Sequence, residues 1–94
     1  MKEVVVLSAT RTAIGDYLGA LSSLNAVELG IFAAKSAIEK AQIKPEDIDE
    51  VLAGHVLQAG CKGNSARQVC LGSGCTVETV AMTVNQLCPS SMRA

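Results

Sequence analysis

Apolar residues fall along this chain in blocks whose spacing changes from one block to the next. Glu3–Ser8 holds the continuous run Val4-Val5-Val6-Leu7, the pattern of a strand buried on both faces, and Thr10–Asp16 leaves it as a loop. From Asn25 to Ala41, Val27, Ile31, Ala34, Ile38 and Ala41 recur at helical spacing while Glu28, Lys35, Glu39 and Lys40 fall on other faces, which predicts an amphipathic helix. Asn25 is placed to cap it, with Glu28 three residues on to bond back, and Pro45 discourages continuation. Val51–Leu57 reads as a second strand whose Gly54 permits close approach of another backbone. Asn64 caps a short helix over Ser65–Leu71, closed by Gly72 or Gly74, and Val80–Leu87 is a third strand ending at Cys88. The order strand, helix, strand, helix, strand predicts right-handed crossovers, a mainly parallel α/β sheet and ligands gathered beyond the strands' carboxyl ends.

Composition narrows this picture. The chain has 94 residues, 49% of them apolar, enough for one small domain with a modest core. Tyr17 and Phe32 are its only aromatic residues, so that core is built from aliphatic side chains and Met. A net charge of −1 with no basic stripe excludes a nucleic-acid grip, and no apolar run is long enough to span a bilayer. The opening segment is read as a strand rather than an export signal, because Arg11 and Asp16 follow its short apolar run almost at once. That places Cys61, Cys70, Cys75 and Cys88 in a reducing cytoplasm as free thiols. They contain no Cys-x-x-Cys hook and His55 is the single histidine, so no metal site is expected. Glu46–Glu50 lacks the alternating oxygen ligands and glycine turn of a calcium loop and reads as a solvated turn. The loop Gln58–Gly63 matches neither phosphate-binding glycine pattern. His55, in apolar company near a strand end, reads as a histidine with satisfied nitrogens rather than as a proton shuttle.

Cys88 is the residue that points to chemistry. It lies between an apolar strand and a predicted helix start, with Pro89 suited to the first helical position. A strand-to-helix turn holds a side chain rigidly at the sheet's carboxyl edge, and the unbonded N–H groups of a helix start favour thiolate over thiol. Cys70, within a helix pattern, and Cys75, in a short loop, read as space-filling.

In order and spacing these segments resemble the amino-terminal part of thiolases, the acetyl-CoA C-acetyltransferases, along the whole chain. The resemblance is carried by Glu3–Val6 with Ser8–Gly15, by Val27–Gly30, by Gly54–Gly60, by Asn64–Gln68 and most specifically by Met82-Thr83-Val84-Asn85-Gln86-Leu87-Cys88. It implies a layered α/β/α/β/α fold of two similar halves, of which residues 1–94 form an incomplete amino-terminal domain containing only the first βαβαβ portion. It implies acyl transfer through a thioester at Cys88, condensing two acetyl-CoA to acetoacetyl-CoA or running the reverse thiolysis. CoA thioesters are then substrates, no separate cofactor is needed, and the complete protein is a homo-oligomer, dimer or tetramer. The histidines and second cysteine that move protons in thiolases belong to motifs beyond Ala94, so the chain alone is expected to be inactive. Where the family carries Gly-Ser-Gly after the cysteine, this chain reads Pro89-Ser90-Ser91. Two alternatives stand beside this reading: a noncatalytic assembly or binding module with a thiolase-derived fold, and the related ketoacyl synthases, whose openings do not usually carry the Arg-Thr-small-x-Gly loop.

Overall fold

The structure, a computed structural model, describes residues 2–94. Its elements follow in the order α1 (Ala26–Ala41), a 3₁₀ turn (Pro45–Asp47), β1 (Glu50–Gly54), α2 (Ser65–Gly72), β2 (Val80–Val84) and α3 (Ser90–Arg93). The strands pair in parallel, Glu50 opposite Val80 through Gly54 opposite Val84, with α2 as the crossover between them. The α/β class and the parallel sheet therefore agree with the sequence pattern.

Helix α1 begins as its local chemistry dictates. The Asn25 side chain accepts from the Glu28 N–H at 2.8 Å, and the Glu28 carboxylate accepts from the Asn25 N–H at 2.9 Å, a complete capping box. Val27 on the inner face is buried. Helices α1 and α2 interlock through small residues, with Val69 against Gly30 and Ile31 against Gly72. The sheet turns Val51, Ala53, Ala81 and Thr83 toward partial burial, while Leu52, Val80 and Met82 on alternate positions stay exposed. Strands apolar on both faces are thus covered on one of them.

Three boundaries differ from the pattern. Residues 3–8 form no strand among the described residues, because a strand needs a partner ladder and this run has none. Val4 and Val6 are 96% and 86% exposed, and the segment is tied down through the Ser8 and Thr10 hydroxyls, which donate to the Ala37 and Ala33 carbonyls of α1. β1 ends at Gly54 rather than Leu57; one more ladder bond, His55 N–H to the Val84 carbonyl at 3.0 Å, follows before the chain turns away. β2 ends at Val84 rather than Leu87, so Cys88 stands on a turn beyond the strand and not at its last residue.

Candidate active site

The turn that carries Cys88 is built by side chains competing with the ladder. Asn85 Oδ1 accepts from the Leu87 N–H at 3.0 Å, while its amide nitrogen donates to the Val56 carbonyl at 3.3 Å; this asparagine diverts the backbone out of β2. Leu87 adopts φ +58, the left-handed region that branched and bulky residues avoid. Ser90, 3% exposed, stabilises that geometry from below. Its hydroxyl donates to the Leu87 carbonyl at 2.6 Å and accepts from the Gln86 N–H at 2.9 Å, and its own N–H donates to the same carbonyl at 3.0 Å. Pro89 falls at the cap of α3 rather than at its first helical position, and α3 is a single turn.

Cys88 is the one exposed cysteine among the four free thiols. Its N–H donates to no acceptor among the described residues. An open hollow of about 270 Å³ lined by Gln86, Pro89, Met92 and Arg93 lies by the turn, and its lining does not include Cys88. Ser91 backs onto β1 at Gly54, where an added Cβ would lie 2.5 Å from Ser91 Cα and 2.6 Å from the Ser90 carbonyl carbon. The glycine expected to admit a second backbone admits the cysteine-bearing turn.

The block Asn64–Gln68 anchors the strand that leads to this turn. Asn64 Oδ1 caps α2 by accepting from the Arg67 N–H at 3.2 Å and accepts from the Thr83 hydroxyl at 2.8 Å; its amide nitrogen donates to the Ala81 carbonyl at 3.2 Å. Thr83 Oγ1 in turn accepts from the Ala66 N–H at 3.0 Å. The Arg67 guanidinium donates to the Thr79 and Val77 carbonyls, and the Gln68 amide to those of Cys61 and Gly63. These polar groups are occupied in holding backbone, which makes them positioning residues for β2 and not candidate reactants.

His55 meets its expectation in part, with a partner for one of its two ring nitrogens among the described residues. Its Nδ1 hydrogen-bonds Ser65 Oγ at 2.8 Å beside a small cavity lined by Ala53, Gly54, Val27 and Val69, and that lining does not include Cys88. The Arg11 loop lines a separate open hollow with Lys40. What sequence reasoning missed is the clamp formed by Asn85 and Ser90. An asparagine three residues before the cysteine is a turn signal, and it was hidden inside an apolar run.

Ser90→Ala is expected to leave the Gln86 N–H without its acceptor and the Leu87 carbonyl with one donor instead of two. The cost is about 1–2 kcal/mol, read as a lowered thermal midpoint of the chain.

Comparison with known proteins places this geometry. The family description "Thiolase, N-terminal domain" matches residues 4–94. The chain is 54% identical over all 94 residues to an acetyl-CoA acetyltransferase of Clostridioides difficile, spanning 88% of that protein. It is 48% identical over 94 residues to the mitochondrial acetyl-CoA acetyltransferase of Homo sapiens, spanning 22% of it. Among solved structures, the Acat5 thiolase of Ascaris suum in complex with coenzyme A superposes with a TM-score of 0.97 at 41% identity, covering 99% of this chain and 24% of that one.

Proposed function

The chain belongs to the thiolase family, and from that premise we propose that Cys88 is the acyl-accepting nucleophile of an acetyl-CoA C-acetyltransferase, carried here on an incomplete amino-terminal domain. The observation that supports the reading most is the exposed thiol on a clamped turn, with the backbone N–H of the same residue unengaged.

In this reading the Cys88 thiolate attacks the carbonyl carbon of acetyl-CoA. The carbonyl electrons move onto oxygen, where the Cys88 N–H is one donor available to the developing charge. Collapse expels the CoA thiolate and leaves an acetyl thioester on Cys88. A carbanion from a second acetyl-CoA then attacks that thioester, giving acetoacetyl-CoA and returning the Cys88 thiolate; thiolysis is the same sequence reversed. Splitting the transfer into two steps suits sulfur, which both attacks and leaves readily. Pro89 does not remove the donor at Cys88, since the proline nitrogen belongs to the next residue.

The remaining groups of the reaction lie, in this reading, in the part of a thiolase that follows residue 94. The bare sheet face at Leu52, Val80 and Met82 and the unpaired run 3–8 fit a domain completed by further chain and assembled as a homo-oligomer. Among the described residues no helix is long and apolar enough to cross a membrane. Four unpaired thiols suit a reducing compartment, which we take as the cytoplasm.

Mapping an acyl label tests the assignment. After incubation with isotope-labelled acetyl-CoA and acid quenching, the acetyl mass is expected on the peptide holding Cys88 and not on those holding Cys61, Cys70 or Cys75. The label is expected to vanish in Cys88→Ala. Label on Cys61 at equal or greater yield would remove Cys88 from the role.

A further inference from the structure

Helix α2 terminates in Cys70-Leu71-Gly72-Ser73-Gly74-Cys75. The Cys75 N–H donates to the Cys70 carbonyl at 3.1 Å, the Gly74 N–H donates to the Leu71 carbonyl at 3.2 Å, and Gly74 takes φ +97. This pair of bonds around a left-handed glycine is the Schellman termination, in which the first and last residues of the bonded segment bring their side chains together. Here both of those residues are cysteines. Cys70 is fully buried, Cys75 is 7% exposed, and both are free thiols. Burial pushes the Cys70 thiol up from its ordinary range, and Cys75 beside it pushes it further, against the opposing pull of Arg67. A disulfide needs Cα atoms roughly 4.4–6.8 Å apart, and a direct backbone hydrogen bond between the two residues leaves them within about that reach.

We propose that Cys70 and Cys75 form a dithiol site that exchanges with small-molecule disulfides and closes as an intramolecular disulfide across the end of α2. Cys75 is the entry sulfur, because it alone of the pair retains exposure. Its thiolate attacks one sulfur of the small disulfide, releasing a small thiolate and leaving a mixed disulfide on Cys75. The small fraction of Cys70 thiolate that its raised pKa leaves then attacks the Cys75 sulfur and expels the second small thiolate, which makes this the slower step. Two protein S–H bonds are lost and one S–S bond is formed; the small disulfide accepts two electrons and, with the two protons, leaves as two thiols. The acyl chemistry assigned to Cys88 uses neither sulfur, so the two assignments stand or fall separately.

The sequence supplies a clean readout. Cleavage after Arg67 and Glu78 releases the peptide Gln68–Glu78, which holds Cys70 and Cys75 and no other cysteine. The full chain is equilibrated at stepped ratios of oxidised to reduced glutathione, quenched with acid, alkylated and digested. The peptide is expected to appear two hydrogens lighter and unalkylated, in the parent and in Cys88→Ala alike. Closure is expected at a lower oxidised fraction in the native chain than in denaturant, because the fold holds the sulfurs together. A peptide that stays doubly alkylated or carries two glutathione adducts at every ratio, or one that closes more readily in denaturant, overturns the proposal.

Discussion

Replacing Gly54 by valine is expected to lower the thermal midpoint of this chain by about 12–24 °C, from a cost of about 3 kcal/mol at about 4–8 °C for each. The position lies where β1 meets the turn that carries Cys88, and even the first added carbon would sit within 2.6 Å of the backbone of Ser90 and Ser91. A flexible side chain could swing aside, but these are main-chain atoms. They are fixed by the Ser90 hydroxyl bonded to Gln86 and Leu87 and by the β1–β2 ladder. Relief requires α3 to lift off β1 or the ladder to part at its carboxyl end. Overpacking of this kind costs about 3 kcal/mol. A chain of this length with so few buried apolar residues sits near the low end of stability, about 0.05 kcal/mol per residue, so that cost removes most of the margin. For a domain of this size each kcal/mol is worth about 4–8 °C in the midpoint. Gly63→Ala is the control: a Cβ there meets nothing within 4 Å, and its midpoint is expected to stay level or rise. A Gly54→Val chain melting near the parent would mean that α3 does not pack on β1.

What the chain's letters reveal depends on how local the cause is. The start of α1 was legible because Asn25 and Glu28 satisfy each other three residues apart, and no distant group takes part. The role of Gly54 was legible as well, since a glycine amid strand-forming residues weakens the strand and marks a place where something else must come close. Which glycine closes α2 was not, because Gly72 and Gly74 differ only in the backbone angle that tertiary packing selects, and Gly74 takes the left-handed one. The run 3–8 records in its side chains a burial on both faces, whereas pairing is set by whichever strand lies alongside. Cys88 could be singled out from strand, thiol and proline in sequence. Its clamp could not, because the hydroxyl of Ser90 reaches back to residues whose apolar neighbours read as continuing strand.

The 94-residue chain by itself is expected to form no measurable acetoacetyl-CoA, even though its Cys88 is open to solvent and free to be alkylated. Condensation needs a base for the thiol and another for the α-carbon of the second acetyl group. Each such group contributes about 10²–10⁴-fold. The single histidine, His55, is engaged by Ser65 beside a cavity that Cys88 does not line. An oxyanion donor beyond the one N–H of Cys88 is worth about 10²–10³-fold more. Multiplied at their lower ends, these losses put turnover at least about 10⁶-fold below that of a chain that supplies the groups. The comparison is a chimera in which residues 1–94 replace the matching segment of the Ascaris suum thiolase, of which they cover 24%. With Pro89→Gly and Ser91→Gly introduced, the chimera is expected to turn over, and Cys88→Ala is expected to return it to background. With Pro89 and Ser91 kept it is expected to run about 10²-fold slower, because a displacement near 1 Å of the reacting sulfur is worth about that factor. Proline fixes the backbone angle next to the cysteine and Ser91 lies against Gly54, so both residues bear directly on where that sulfur sits. Acetoacetyl-CoA formed by the isolated chain and lost in Cys88→Ala would overturn this. It would mean that residues 1–94 already hold the bases that the reading assigns to the rest of the protein.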